Sequence, residues 1–237
     1  MEINISAAKV DKFNSGGSGD TIEVIERPNG GLSVALASGF QNGKASKIIS
    51  YSVVKKVITF IADGVRDGAA ARAASDALFT QYNGKSYASL TILSVDLQTE
   101  TLVFTCNNNA PVYLCRRELV EKMITECTLI GTSLDIRPSI TEISIEPGIT
   151  IIAPSTGMIK AGISNGQKID LIASISSLME IEFPTPDYIA ESLLNRAVQI
   201  DHEQPQEDMS VVVLQISDER KDSIRRIQVS MPILKLT

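Results

Sequence analysis

The chain predicts an α+β fold in which antiparallel strands alternate with helix pairs, and three stretches carry that expectation. Residues 20–37 read as a β-hairpin, because two strand-like runs flank the strong turn signal Asn29-Gly30-Gly31. From residue 44 the spacing becomes helical: Ile48, Ile49, Val53, Val57 and Phe60 recur on one face through residue 60, and Ala70, Ala73, Ala74 and Ala77 mark a second helix. Residues 89–116 then return to short runs of β-branched and apolar side chains separated by turn-prone residues.

Taken in order, the glycine-rich Ser15-Gly16-Gly17-Ser18-Gly19-Asp20 delivers a carboxylate to the start of the first hairpin strand. The second strand is built on Leu32, Val34 and Leu36 and ends at Ser38-Gly39; Gly43 follows just before the helix. Pairing in the hairpin puts Asp20 at the same end as Ser38. A strand tip beside a helix N-terminus can turn side chains or carbonyls toward a bound ion or phosphate; the same residues also suit an ordinary strand-turn-helix.

The stretch Asp63-Gly64-Val65-Arg66-Asp67-Gly68 carries an acid-glycine pattern that could pass for a metal turn. Helical periodicity precedes it, so a helix-helix connection is expected. Residues 89–96, 101–107 and 112–116 read as an antiparallel meander. Residues 140–145 and 149–153 are two further strands joined by Glu146-Pro147-Gly148, and the second runs into Pro154-Ser155-Thr156-Gly157. A helical segment is expected over 169–181. Thr185-Pro186 then opens a helix whose face is Ile189, Leu193, Ala197 and Ile200. The acidic turn Gln204-Pro205-Gln206-Glu207-Asp208 precedes an apolar strand over 209–216, and an idle charge at the start of a buried strand is costly.

Composition narrows the function classes. With 237 residues, 43% apolar and 21% charged, the chain can bury a sizeable core. A net charge of −6 and the absence of Trp argue against a nucleic-acid or membrane-surface binder. Cys106, Cys115 and Cys127 lack metal-ligand spacing and make an odd count, which points to a reducing cytoplasm, with Cys106 and Cys115 packed in strands. No basic region followed by an apolar block opens the chain, and no run approaches the ~18 apolar residues of a membrane span. His202, the single histidine, is expected to be solvated, as are Arg225 and Arg226. Residues 217–237 form a charged link followed by the apolar stretch 227–236, suited to an edge strand or a partner contact.

The order SGD, hairpin, G-x-x-x-G turn, two helices, β-rich middle, Asn109-Ala110-Pro111, P-x-x-G and the closing Glu207-Asp208-Met209-Ser210-Val211-Val212-Val213 resembles the metal-dependent protein phosphatases of type 2C fold, in particular their bacterial branch typified by stage II sporulation protein E. The resemblance covers residues 15–216 and implies a domain over 1–216, with 217–237 as an appended tail. It implies a four-layer α-β-β-α sandwich, two antiparallel sheets flanked by helix pairs, holding two Mn2+ or Mg2+ ions that activate water against phosphoserine or phosphothreonine. Asp20 matches the first family acid, Asp208 the last, and Gly39 the carbonyl ligand. The bridging acid aligns with Ser38 and the third acid with Thr156, and Asn109-Ala110-Pro111 stands where the family has Gly-His-x-Pro. Glu207 is the usual neighbour of the last acid. With two carboxylates replaced by hydroxyls, a conventional two-ion site is not expected, and at most one ion fits. The resemblance therefore implies a pseudophosphatase that binds a signalling protein, such as a phosphorylated antagonist of an anti-sigma factor. The alternative is an active phosphatase with a reduced site of Asp20, the Gly39 carbonyl and Asp208.

Overall fold

Two five-stranded antiparallel sheets face each other, and a helix pair covers the outer side of each. The computed structural model describes residues 1–40, 44–117, 119–124, 126–182, 184–218 and 222–232. In chain order the elements are β1 (Glu2–Val10), β2 (Asp20–Glu26), β3 (Gly31–Gly39), α1 (Lys44–Ala62), α2 (Asp67–Tyr82), β4 (Ala88–Asp96), β5 (Thr101–Asn107), β6 (Val112–Arg116), β7 (Leu119–Met123), β8 (Ser139–Ser144), β9 (Ile149–Pro154), α3 (Thr156–Ile159), α4 (Leu171–Met179), α5 (Pro186–Ile200) and β10 (Met209–Ser217). The strand orders are β1-β10-β9-β6-β7 and β2-β3-β4-β5-β8. This is the α-β-β-α sandwich expected from the sequence.

Alternation along the strands sorts the core into three layers. Between the sheets lie Val34, Leu36, Leu93, Phe104, Leu114, Ile151, Val212 and Leu214. The opposite faces of β3 and β4 carry Ala35, Ala37, Leu90 and Ile92 against Ile49, Val53, Val57, Ala70 and Ala74 of α1 and α2. On the other sheet, Ile152, Val211 and Val213 meet Ile175, Ile189, Leu193 and Ala197 of α4 and α5. Small alanines on both β3 and α2 let the helices approach the sheet closely. Ile48 does not join this packing: it is 58% exposed, and the buried stripe of α1 runs instead through Ile49, Val53, Val54, Val57 and Ile61.

The expected meander stops after two strands. β5 pairs with β4 and β8, whereas β6 lies in the opposite sheet between β9 and β7. The turn 107–111 makes the crossing. Asn108 Oδ1 accepts from the Ala110 N–H at 2.8 Å, and Asn107 Nδ2 donates to the Thr128 carbonyl at 2.8 Å, so side chains satisfy backbone groups where no neighbouring strand does. Val112 and Leu114 then bury between the sheets from the other side. Strands 140–145 and 149–153 are divided in the same way, with Glu146-Pro147-Gly148 as the crossing. β1 and β7 are edge strands without a clean alternating pattern, half-buried and partly charged. Cys106 and Cys115 are packed as expected, and burial pushes both thiols up to about 12. Residues 222–232 carry no helix or strand; Gly43 and positions 233–236 of the apolar stretch lie outside the described residues.

Candidate functional site

One end of the sandwich gathers most of the site residues singled out in the sequence. The hairpin register pairs Asp20 directly with Ser38, so both side chains point between the sheets. From the opposite sheet the Ser210 hydroxyl, on β10, donates to Asp20 Oδ2 at 2.6 Å. Asp20 is 2% exposed, and burial raises its carboxyl to about 6. The Ser210 hydrogen bond opposes that rise, and the neighbouring Asp208 charge adds to it. Ser38 Oγ is buried and makes no hydrogen bond among the described residues, although its hydroxyl dipole also favours the charged form of Asp20.

Asp208 sits two residues before Ser210 and is half-buried. Its Oδ1 accepts from the Lys12 N–H and its Oδ2 from the Gly19 N–H, both at 2.8 Å, which fastens the glycine-rich loop ahead of Asp20. The Ser155-Thr156-Gly157 turn packs on the Asp208 backbone. A Cβ at Gly157 would stand 2.0 Å from the Asp208 carbonyl oxygen, so only glycine permits this approach. Ser155 Oγ caps α3 by accepting from the Met158 N–H and also accepts from the Ser210 N–H at 3.0 Å. Thr156 Oγ1 donates to Asn108 Oδ1 at 3.4 Å. Across the tip, the Gly39 carbonyl accepts from Ser46 Oγ at 2.6 Å, and a Cβ on Gly39 would fall 2.2 Å from the Ser46 carbonyl oxygen.

Lys9 and Lys47 are two residues of this tip that the sequence pattern does not mark. Lys47 Nζ donates to the Asp20 carbonyl at 2.8 Å and to Thr21 Oγ1 at 3.0 Å; Lys9 Nζ reaches the same carbonyl at 3.4 Å. Burial, then the Lys9 charge, lowers the Lys47 pKa. Their shared target is a main-chain oxygen, which leaves no mark in the sequence. Asn108 was also missed as the partner of Thr156. Its place in the turn that resembles Gly-His-x-Pro was the available signal.

The other candidates lie elsewhere. Asp63 is exposed on the α1–α2 connection, where the adjacent Gly64 sits near Pro28 of the hairpin turn, at the end of β2 remote from Asp20. Glu207 pairs with Lys160 at 2.8 Å, with both side chains nearly half-exposed. His202 is exposed in the turn after α5, and its N–H donates to the Gln199 carbonyl.

Divalent manganese and magnesium take oxygen ligands, carboxylates foremost. At this tip Asp20 is tied to Ser210, both Asp208 oxygens hold backbone amides, and the Gly39 carbonyl holds a hydroxyl. Among the described residues no group of three or more His, Cys, Asp or Glu is placed to hold a metal. These donors do not fit a pair of divalent ions. The Ser38 hydroxyl gives a small test: Ser38→Ala is expected to cost at most ~1 kcal/mol in urea unfolding at pH 7.5, because the hydroxyl lies outside hydrogen-bond geometry yet favours the charged form of Asp20. A loss above ~1 kcal/mol would show that the hydroxyl is bonded in solution.

Comparison with known proteins agrees with this architecture. The family model for stage II sporulation protein E (SpoIIE) matches residues 28–217. Stage II sporulation protein E of Bacillus subtilis (strain 168) is 22% identical over 214 residues, which cover 90% of this chain and 26% of that protein, so the chain spans about a quarter of that relative. The structure of the PP2C phosphatase domain and a regulatory-domain fragment of SpoIIE from Bacillus subtilis superposes with a TM-score of 0.77 at 21% identity, covering 91% of this chain and 62% of that one. The catalytic domain of the serine/threonine protein phosphatase PstP, solved with two manganese ions, superposes with a TM-score of 0.69 at 15% identity, covering 91% of this chain and 99% of that one. No helix among the described residues is long and apolar enough to cross a membrane. The two sheets, their helix pairs and a family match spanning residues 28–217 together place the chain in the stage II sporulation protein E family of PP2C-type phosphatase domains.

Proposed function

We propose that this domain keeps the phosphatase fold but has lost two-metal hydrolysis, and that it acts as a partner-binding module in bacterial partner-switching regulation. The observation that carries the reading is the hydroxyl pair Ser38 and Thr156 at the tip that also holds Asp20 and Asp208. Two divalent ions need several carboxylates to balance their mutual repulsion, and neutral hydroxyls remove two of those charges. The partner in this reading is a signalling protein of the cytoplasm, such as a phosphorylated antagonist of an anti-sigma factor. Residues 1–216 form the recognising domain, and residues 217–237 are an appended tail.

A reduced single-ion site is the second reading. What favours it is that Asp20 and Asp208 share one tip, where the Asp208 charge acts on the Asp20 carboxyl. Turnover of a phosphoserine peptide and of p-nitrophenyl phosphate with excess Mn2+ separates the two. No metal-dependent turnover is expected of the natural chain. Turnover abolished by Asp20→Ala or Asp208→Ala would overturn the binding-module reading. If Ser38→Asp combined with Thr156→Asp fails to gain even metal binding, the assignment of these two positions is wrong.

A further inference from the structure

The free edge of β2 and the tail after β10 meet through one ion pair at the end of the sandwich remote from Asp20. Among the described residues β2 pairs only with β3, so its other side is an open sheet edge. Backbone direction alternates along it. Gly19 and Arg27 bond inward, to Gly39 and Gly31, whereas the Asp20 carbonyl faces outward to Lys47 and Lys9. By alternation the N–H and C=O groups of Ile22, Val24 and Glu26 also face outward. Their side chains share the inter-sheet side, where Ile22 packs on the core but Val24 is 50% exposed.

The tail carries an uncovered strand pattern. Ile227, Val229 and Met231 are 91%, 86% and 80% exposed and alternate with Gln228, Ser230 and Pro232. Such a two-residue period on an apolar face suits an edge strand. An ion pair brings the tail to β2: Arg225 Nη1 lies 2.6 Å from Glu26 Oε2. Ser217, where β10 ends, pairs with Glu2 at this same end of the sandwich, since Asp20 meets Ser210 at the other. The link over residues 218–224 reaches at most roughly 25 Å, against ~10 Å between stacked sheets.

We propose that residues 225–229 add to β2 of the same chain as an antiparallel strand, pairing Arg225 with Glu26, Ile227 with Val24 and Val229 with Ile22. Two features agree with this register. Paired residues share a face, so Ile227 and Val229 fall beside Val24 and Ile22 at the open side of the core, over the half-buried Ile3 and Ile5 of β1. Gln228 falls opposite the exposed Glu23. The ladder ends at Ile22 because the next outward carbonyl, that of Asp20, is held by Lys47 and Lys9.

Native-state hydrogen exchange on the full chain tests this, with two proline variants that differ only in parity. Val229→Pro removes an N–H that faces β2; Ser230→Pro removes one that faces solvent. Exchange at the amides of residues 22, 24, 26, 225 and 227 is expected to be at least ~10-fold slower in the natural chain and in Ser230→Pro than in Val229→Pro. Tail amides that exchange at the unstructured rate in the natural chain, or two variants that behave alike, overturn the proposal. Protection seen only in a species that light scattering measures as a dimer overturns the same-chain assignment. Both substitutions lie in an exposed segment, so neither outcome is confounded by loss of the folded domain.

Discussion

Replacing Asp20 with asparagine is expected to stabilise the protein at pH 7.5 by up to about 3 kcal/mol and to change little below pH 4. Asp20 is almost fully buried, and its carboxyl titrates near 6 rather than at 3.8. A carboxyl whose folded pKa is raised binds more protons in the folded state than in the unfolded one between those two values. Its contribution to stability is therefore intact below pH ~3.8 and is lost as pH rises through ~6, each pH unit between those values costing about 1.4 kcal/mol. Asparagine removes the ionisation while its side-chain oxygen can still accept from Ser210 Oγ. Urea unfolding of both proteins from pH 4 to pH 8 reads this as a widening gap that levels off above pH 7. A metal centre would reverse the sign in the presence of Mn2+, because asparagine would then delete a charged ligand.

The second large effect lies at the other end of β2. Arg27 is buried beneath α2, where Nη1 donates to Asp67 Oδ1 at 2.7 Å, Ser33 Oγ at 2.9 Å and Ser94 Oγ at 3.2 Å, with Asp96 Oδ2 at 3.5 Å from Nη2. Asp67, at the first turn of α2, is 3% exposed, so its charge has little access to water. Arg27→Ala strands that carboxylate and is expected to cost about 3–5 kcal/mol. Arg27→Met combined with Asp67→Leu is expected to recover most of the loss, because a packed apolar pair removes both buried charges. A single-variant loss below ~1 kcal/mol would mean that the pair is hydrated and contributes as a surface bridge does.

Several of these features were legible in the sequence, each for a physical reason. Asn29-Gly30-Gly31 fixes the hairpin, and the hairpin fixes Asp20 opposite Ser38. The spacing in α1 and α5 and the apolar run of β10 gave those elements directly. What stayed hidden depends on relations between distant segments. β5 and β6 have similar apolar content, and the change of sheet between them shows only in their strand partners, β4 and β8 against β9 and β7. β1, as an edge strand, is half-buried along most of its length and shows too little contrast between its faces. Lys9 and Lys47 meet on a carbonyl oxygen, an acceptor every residue has. Asp208 was legible as an acid at the strand start, but not its grip on the Lys12 and Gly19 amides, which belong to a loop 189 residues away from it at Gly19.

Calorimetric titration of Mn2+ into the natural chain at pH 7.5, beside the Ser38→Asp/Thr156→Asp variant, tests whether this phosphatase fold has given up its metal centre. No saturable heat is expected from the natural chain at metal concentrations up to ~1 mM, and saturable binding is expected once the two carboxylates are supplied. Saturable binding to the natural chain that is lost in Asp20→Ala or Asp208→Ala would contradict it.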